Sequence, residues 1–351
     1  MTERSSRRAQ IGPTLGDVAR RAGVSPMTVS RVINSSDNVH PDTRERVNAA
    51  IQALGYTPNA AARSLAGGTL TRIALLYSNP SAAYLSEFLV GSLAEARQNG
   101  AQIVVEKCDA DEVAIVRGLI ERGIDGVILP PPLCDSHAVL AALFKAKVPT
   151  AVVASGAPAA GAFAVSIDDA EAARQITALL IGLGHRRIGF IAGNVNQTAS
   201  AKRREGYARA LEDAGQPLRE QLIAQGDFSY RSGLEAAERL LDGAEPPTAI
   251  FASNDDMAAA AIAVAHRRGL DVPRDLAICG FDDTALATTV WPGLTTVHQP
   301  IAGMARAAVE LLVAALRRVR AGEPLTPRQR VMNFAIVRRE SDGPPASIDH
   351  T

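Results

Sequence analysis

Features that mark several common protein classes are scarce or missing in this sequence of 351 residues. Its three cysteines, Cys108, Cys134 and Cys279, stand far apart without CxxC or Cys/His spacing, so neither a disulfide framework nor a zinc site is predicted. No run of about 18 apolar residues occurs, which predicts no membrane span, and Arg7-Arg8 is not followed by the apolar core of an export signal. These absences favour a reducing cytoplasm.

Signatures of common enzyme classes are missing as well. AGN at 192–194 lacks the rest of the dinucleotide fingerprint GxGxxG, and neither a GxxxxGK[ST] phosphate loop nor a GxSxG nucleophile elbow occurs. The six histidines show no HExxH spacing. The acid pairs Asp255-Asp256 and Asp282-Asp283 remain open to acid-base chemistry, metal binding or the capping of a turn. Apart from these acid pairs, the patterns predict no cofactor, no metal and no catalytic residue.

Positive charge is concentrated at one end of a chain that is neutral overall. Residues 1–67 contain nine arginines against five acidic residues, and the remainder carries the balancing negative excess. A cationic N-terminal module is what a polyanionic partner requires, although the same charge also fits an ordinary solvated face.

The first module has the pattern of three short helices. Leu15 to Ala22 is amphipathic, Gly23-Val24 breaks it, Ser25 caps a second helix running to about Asn34, and Pro41-Asp42 opens a third that ends near Leu54. Two helices joined by a glycine-containing turn indicate a helix-turn-helix, and a generic three-helix bundle is the alternative.

The second helix of this pattern carries residues suited to reading DNA. Its start would place Pro26, Met27 and Arg31 at the groove-facing surface, where an arginine can bind guanine with two hydrogen bonds and a methionine can touch a thymine methyl group. The hydroxyl groups of Ser25, Thr28 and Ser30 can bind phosphates, or serve only as caps and surface groups.

A short linker separates this module from the rest. Residues 57–70 contain Pro58, Gly67-Gly68 and small polar residues, and the stretch from Asn59 to Ala66 could form a short helix. Such a helix is marginal alone in water and would form when it docks on a partner.

From Arg72 onward, short apolar runs alternate with stretches of helical length. The runs RIALLY, AQIVVE, DGVILP, VPTAVVA, RRIGFIAG, PTAIFAS and DLAICGF are predicted to be buried strands. This alternation predicts an α/β domain of two doubly wound parallel-sheet lobes, following the small all-α module. Ligands of such sheets bind beyond the carboxyl ends of the strands, so the cleft between the lobes is the expected site.

The residues VARRAGVSPMTVSRVIN, followed by VHPDTRERVNAAIQALGYTPNAAARSLA, resemble the signature of the LacI/GalR family of bacterial repressors, and the resemblance extends from Leu15 to about Glu340. It implies that the second helix lies in the major groove and that 59–66 folds as a hinge helix on the operator. It also implies that Leu65 wedges into the minor groove, where bending DNA offsets the cost of unstacking; from the residues alone, Leu65 could instead pack on a core. The predicted DNA-binding residues are Thr14, Ser25, Pro26, Met27, Thr28, Ser30, Arg31, Asn34, Asn59 and Leu65.

The larger domain resembles periplasmic sugar-binding proteins, which implies an effector site between its lobes. Arg203 matches the family's effector-binding arginine, and Asp282 matches its ligand carboxylate. A planar arginine with carboxylates can satisfy a cluster of hydroxyl groups, although Arg203 could pair with a surface acid such as Glu205. The predicted effector-binding residues are Tyr84, Asp168, Arg203, Phe228, Asn254, Asp282 and Trp291.

The predicted domains follow from these patterns. They are a helix-turn-helix domain (1–56), a hinge and linker (57–70), an effector and dimerisation domain (71–340) and a disordered tail (341–351). Within the effector domain, lobe 1 is predicted at about 71–169 and 300–326, and lobe 2 at about 170–299 and 327–340.

We expect a DNA-binding transcriptional repressor of the bacterial cytoplasm and nucleoid, without enzymatic activity, acting as a homodimer on a pseudo-palindromic operator in double-stranded DNA. Gln197 stands where a purine-binding arginine would be expected, which favours a carbohydrate effector. The alternative is a sugar- or purine-binding protein, or a sugar-acting enzyme, with an accessory basic N-terminal module.

Overall fold

A computed structural model describes residues 13–33, 39–54, 70–108 and 111–345 of the chain. The chain divides into two compact units, 1–70 and 71–351.

The N-terminal unit contains three helices in its described ranges: α1 (Leu15–Ala22), α2 (Pro26–Ile33) and α3 (Pro41–Leu54). They enclose a small apolar core, formed by Val18, Ala19, Ala22, Val29, Val32, Val47 and Ala50. The predicted helix-turn-helix arrangement is therefore present.

Local capping fixes the ends of the first two helices. Thr14 and Asp17 form a reciprocal capping box at the start of α1, which satisfies two backbone donors that a helix leaves free. Gly23 ends α1 in the left-handed region at φ 64°, a conformation that favours glycine. The Ser25 hydroxyl then accepts the Thr28 amide at 3.2 Å and begins α2. The turn between the two helices is thus specified by sequence.

The larger unit is built on two six-stranded sheets. The first contains β1 (Thr71–Tyr77), β2 (Ala101–Lys107), β3 (Gly126–Leu129), β4 (Thr150–Val153), β5 (Phe163–Ser166) and β11 (Gln329–Val331). The second contains β6 (Ile188–Ala192), β7 (Ile223–Gln225), β8 (Ala249–Ala252), β9 (Ala277–Asp282), β10 (Thr295–His298) and β12 (Ala335–Val337).

The two sheets share one topology. Their orders are β11-β5-β4-β3-β1-β2 and β12-β10-β9-β8-β6-β7, and the described pairings are parallel except that of β10 with β12. Each sheet thus changes winding direction beside its first strand, between β1 and β3 and between β6 and β8. Ligands of doubly wound sheets bind at such switch points.

Helices cover both faces of each sheet. Lobe 1 carries α4 (Ala82–Gln98), α5 (Glu112–Glu121), α6 (His137–Lys145) and α12 (Ile301–Arg320), and lobe 2 carries α7 (Asp169–Gly182), α8 (Thr198–Asp213), α9 (Tyr230–Leu241), α10 (Asp255–Arg267) and α11 (Leu286–Thr289). Gly206 lets α8 approach the backbone of α7 so closely that a Cβ would overlap the Ala170 carbonyl. None of the helices in the described ranges is long and apolar enough to cross a membrane.

The chain passes between the lobes after β5, after β10 and between β11 and β12. Because β11 pairs with β5 in the first sheet, residues 329–331 belong to lobe 1. The predicted start of the last lobe 2 segment at 327 is therefore wrong, and that crossing lies at 332–334.

The predicted disordered tail from residue 341 is also wrong at its start. Ser341 is fully buried, and its hydroxyl donates to the Ile278 carbonyl at 2.6 Å and accepts the Thr295 amide at 2.8 Å. The Gly343 carbonyl bonds the ring of the buried His185 at 2.8 Å. These bonds attach residues 341–343 to the second sheet; residues 346–351 lie outside the described ranges.

Candidate functional site

The helix-turn-helix presents the start of α2 as an exposed surface. Met27 is 66% exposed, and Ser25, Pro26 and Arg31 are exposed as well. Val29 and Val32 occupy the opposite face and pack into the small core. Helical periodicity therefore separates a buried stripe from a surface with an apolar methionine and a cationic arginine, the two side-chain types that can contact thymine methyl groups and guanine edges.

The hydroxyl groups of Thr14, Ser25 and Thr28, which are predicted to bind DNA, have partners within this unit. The Thr14 hydroxyl donates to Asp17 at 2.7 Å, and the hydroxyls of Ser25 and Thr28 bond each other at 2.9 Å. Their first role is therefore to shape the ends of α1 and α2. Ser30 is half-buried on α2. Of the other predicted contacts, Asn34, Asn59 and Leu65 lie outside the described residues.

A cavity lies between the lobes of the larger unit, beyond the carboxyl ends of the strands and beside both switch points. The cavity opens to solvent, and the space among its lining atoms, including that open solvent, is about 410 Å³. Loops after β1, β3, β4, β6, β7, β8 and β10, together with the start of α8 and the end of β9, form its walls, as the topology requires. The lining residues are Asn79, Pro80, Ser81, Tyr84, Pro131, Ala154, Gln197, Ala199, Arg203, Phe228, Asn254, Asp282 and Gln299.

Arg203, on α8, is the charged centre of this cavity and is 4% exposed. Its Nε donates to Asp169 at 2.8 Å, and its Nη1 donates to the Ser253 carbonyl at 2.5 Å and lies 3.9 Å from Asp282. Its guanidinium carbon stands 3.6 Å from the ring centroid of Phe281. A buried cation needs such partners, so the expected alternative of a surface pair with Glu205 is wrong.

Asp282 reaches the cavity through an unusual backbone conformation. Its φ is 115° and that of Asp283 is 59°. In this backbone region, each residue other than glycine carries a strain energy on the order of 1–3 kcal/mol. Gln299 Nε2 donates to Asp282 at 2.5 Å. Burial raises the pKa of Asp282 well above its usual value, while Arg203 opposes that rise. The backbone of this turn is therefore strained, and the buried carboxyl of Asp282 disfavours further negative charge in the cavity.

The carboxylate of Asp255 stabilises this turn by accepting hydrogen bonds from residues that follow Asp282. The carboxylate is fully buried and accepts the Thr284 amide at 2.8 Å, the Thr284 hydroxyl at 3.1 Å and the Thr296 hydroxyl at 2.6 Å. Burial raises the pKa of Asp255 to about 7, although these hydrogen bonds oppose the rise. Asp255 does not line the cavity, but it positions the residues that follow Asp282.

Two polar atoms beside the cavity are buried without a hydrogen-bond partner among the described residues. They are the Tyr84 hydroxyl and Oε1 of Gln299. Burial, together with the nearby Asp282, raises the pKa of the Tyr84 hydroxyl well above its usual value, so it stays protonated. An unsatisfied buried polar atom costs about 1–3 kcal/mol, and both residues line a cavity where a ligand could bind them.

The structure brings five of the seven predicted effector-binding residues to the cavity: Tyr84, Arg203, Phe228, Asn254 and Asp282. Asp168 does not line it, because this exposed residue caps α7 by accepting the Glu171 amide at 2.9 Å. Its neighbour Asp169 points inward and binds Arg203. Trp291 is 75% exposed and faces His266 at 5.6 Å between ring centroids. Both of these assignments to the site are wrong.

Sequence reasoning missed several residues of the site. Asp169, Gln299 and Asn79 were not assigned to it, although Asp169 stood next to an assigned residue. Ala154 and Phe228 have φ of 56° and 73°, so three lining residues, with Asp282, hold strained backbone. Gly193 leaves room for the Phe228 ring, which a Cβ there would overlap. No local sequence signal marks these conformations at residues other than glycine.

Comparisons with known proteins agree with both units. A model of bacterial regulatory proteins of the lacI family matches residues 14–59, and a periplasmic binding protein-like domain matches 177–341. The chain is 38% identical over 304 residues to catabolite control protein A of Priestia megaterium, covering 85% of this chain and 91% of that protein. The chain belongs to the lacI family. It is a DNA-binding transcriptional regulator with a two-lobed effector domain.

Solved structures of lacI-family proteins share this architecture. A complex of the transcriptional regulator CelR with cellobiose superposes with a TM-score of 0.72 at 35% identity, covering 94% of this chain and all of the other. The lac repressor dimer bound to operator and the anti-inducer ONPF superposes with a TM-score of 0.77 at 29% identity, covering 94% and 99%.

Proposed function

We propose that this lacI-family regulator represses transcription as a homodimer on a pseudo-palindromic operator, and that a neutral carbohydrate bound between its lobes controls its operator affinity. The carbohydrate is bound and released unchanged. The observation that carries the effector assignment is the pair of buried, unpartnered polar atoms on Tyr84 and Gln299 beside the cavity.

These two atoms require a ligand that hydrogen-bonds in both directions. Gln299 Oε1 can only accept, and the protonated Tyr84 hydroxyl can donate or accept. Sugar hydroxyl groups do both, so one such group can satisfy either atom. Phe228 adds an apolar face of the kind that packs against the carbon side of a sugar ring. The cavity is thus suited to a ligand with several hydroxyl groups.

The charge of the site argues against an anionic effector. Arg203 is the one cation among the described lining residues, and it is already bonded to Asp169 and near Asp282. Burial raises the pKa of both carboxyls, with Arg203 opposing it. A phosphate or carboxylate would add like charge where charge is poorly solvated. A neutral sugar avoids this cost.

Two further observations support the proposal. The CelR structure contains cellobiose, and this chain shares its fold. Gln197 lines the cavity with an amide, which suits a hydroxyl group. A two-fold dimer would present two copies of the helix-turn-helix surface with the exposed Met27 and Arg31 to two half-sites of DNA, as helix-turn-helix dimers do.

Isothermal titration of the full chain with a small panel tests the effector class. Cellobiose represents neutral sugars, glucose 6-phosphate represents phosphorylated ones, and hypoxanthine represents purines. We expect heat from neutral sugars, with cellobiose or another neutral disaccharide binding best. Binding of glucose 6-phosphate or hypoxanthine, with no binding of any neutral sugar, would overturn the assignment.

A further inference from the structure

The carboxylate of Asp135, in lobe 1, caps a helix of lobe 2. Asp135 ends a short 3-10 turn, Leu133–Asp135, that follows β3. It accepts the amide of Thr198, the first residue of α8, at 2.8 Å, and the Thr198 hydroxyl at 2.9 Å. It also accepts the hydroxyl of Ser155, at the end of β4, at 2.7 Å. One carboxylate therefore joins two segments of lobe 1 to the start of a lobe 2 helix.

This cap replaces one that α8 lacks within its own lobe. The residue at its own capping position, Gln197, makes no side-chain cap, so the amide of Thr198 depends on the opposite lobe. A carboxylate is the preferred partner there, because a helix N-terminus carries partial positive charge. The amide of Gly156 also donates to the Thr198 hydroxyl, at 2.8 Å. Separating the lobes would leave this helix end uncapped.

The cap lies at the wall of the cavity without facing into it. Thr198 stands between Gln197 and Ala199, which both line the cavity, and Ser155 follows the lining residue Ala154, whereas Asp135 is not a lining residue. A Cβ on Gly156 would come within 2.8 Å of the Thr198 carbonyl. The two lobes are therefore in tight backbone contact at this point.

A second contact crosses the cleft at another wall. The Ser81 hydroxyl, which caps α4 in lobe 1, donates at 2.6 Å to Asp256 on α10 in lobe 2. Lobe 1 contains a comparable contact that does not cross the cleft. There, the Ser136 hydroxyl caps α6 and donates to Glu112 at 2.6 Å. Both cross-lobe contacts would break if the lobes separated, whereas the contact within lobe 1 would remain.

We propose that Asp135 is a positioning residue for effector binding: by capping α8 across the cleft, with Ser81–Asp256 as a second contact, it sets the closed fraction of the effector domain. A ligand that binds the closed form has an apparent affinity in proportion to that fraction. A residue that never touches the effector thus controls its affinity. The link to affinity depends on the proposed carbohydrate site; the link to closure does not.

Distance measurements on the full chain test closure without any ligand. Spin labels are placed at Gln98 in lobe 1 and Glu212 in lobe 2, both exposed, and labelled chains are diluted with unlabelled chains so that one pair is read per molecule. In Asp135→Ala, we expect the ratio of closed to open molecules to fall about fivefold, the effect of losing a helix cap. Asp135→Ala/Asp256→Ala should populate the open form further.

Two matched variants separate closure from simple loss of a cap. Asp111 caps α5 within lobe 1 by accepting the Ala114 amide at 3.0 Å, so Asp111→Ala should lower thermal stability without lengthening the inter-lobe distance. Glu112→Ala is the corresponding control for Asp256→Ala.

If Asp135→Ala does not fold, Thr198→Val removes the cross-lobe hydroxyl and should open the lobes. Thr177→Val, whose hydroxyl bonds Ala173 within α7, should not.

The outcomes distinguish this proposal from the effector assignment. A double variant with the wild-type distance distribution would overturn the cross-lobe cap as a determinant of closure. In a second arm, saturating cellobiose should restore the short distance in Asp135→Ala, and its apparent affinity should fall by the same factor as the closed fraction measured without ligand, which is at most about fivefold. Opening in the variant without any response to cellobiose would support the cap and count against the carbohydrate effector.

Discussion

Replacing Tyr84 by phenylalanine should make the effector domain more stable and its carbohydrate binding weaker. The Tyr84 side chain is 4% exposed, stacks on Phe88 and lines the cavity, and its hydroxyl has no hydrogen-bond partner among the described residues. The substitution removes one oxygen and leaves the packing of the ring unchanged. It therefore isolates the contribution of a single buried polar atom.

The expected changes in stability and in sugar affinity follow from the Tyr84 hydroxyl being without a partner in the free protein and hydrogen-bonded when a sugar is bound. A buried hydroxyl without a partner costs about 1–3 kcal/mol, so its removal should stabilise the domain by about 1 kcal/mol, or raise the melting temperature by about 2 °C. With a sugar bound, the hydroxyl would gain a hydrogen bond of about 1 kcal/mol. The loss of that bond should weaken binding about fivefold.

Tyr207→Phe is the matched control. Tyr207 is 1% exposed, lies outside the cavity, and donates its hydroxyl to the Ile188 carbonyl at 2.8 Å. Its loss should destabilise the domain by about 1 kcal/mol and leave sugar affinity unchanged. Urea midpoints and isothermal titration with cellobiose measure both effects. A Tyr84→Phe variant that loses stability, or keeps wild-type affinity for a sugar that the wild type binds, would show that the Tyr84 hydroxyl is not an unsatisfied group that binds the ligand.

Arg203→Ala should destabilise the effector domain by about 3–5 kcal/mol in urea unfolding, because Asp169 stays buried without its cation; Arg204→Ala, on an exposed pair, should cost less than about 1 kcal/mol. The raised pKa of Asp255, about 7 against 3.8, favours its protonated form in the folded state. The stability that protonated Asp255 adds to the folded state is therefore lost as the pH rises from about 4 through 7. The stability of Asp255→Asn relative to wild type should rise by about 3 kcal/mol between pH 5 and 8, and a flat difference would contradict this. Arg31→Ala should relax discrimination at one base pair and cost about 1–3 kcal/mol of operator binding, measured by anisotropy at fixed salt.

Much of the fold could be predicted because its strands are apolar and its helix ends are marked. The seven apolar runs from 72 to 281 coincide with β1, β2, β3, β4, β6, β8 and β9. The strands β11 and β12 could not be predicted, since each has three residues and none of their side chains is buried. Residues 341–343 have the composition of a loose tail, and tertiary hydrogen bonds, among them those to Ile278, Thr295 and His185, order them.

The site could be predicted to the level of a loop, and single residues within the loop could not. Asp168 and Asp169 are chemically equivalent in sequence, and the geometry of the helix start decides that the first caps α7 and the second binds Arg203. Trp291 and Phe228 are both aromatic residues in loops. Only the left-handed backbone at Phe228, at φ 73°, turns its ring toward the cavity.

A neutral sugar bound in the cleft should change the affinity of this regulator for its operator. The direct test is a titration of the full chain, at fixed salt, against a pseudo-palindromic duplex selected from random DNA, with and without saturating cellobiose or the best-binding sugar of the panel. Allosteric coupling of about 1–3 kcal/mol corresponds to a change in operator affinity of about 5- to 150-fold. We predict a change within that range, and unchanged operator affinity in the presence of a bound sugar would show that the sugar does not control DNA binding.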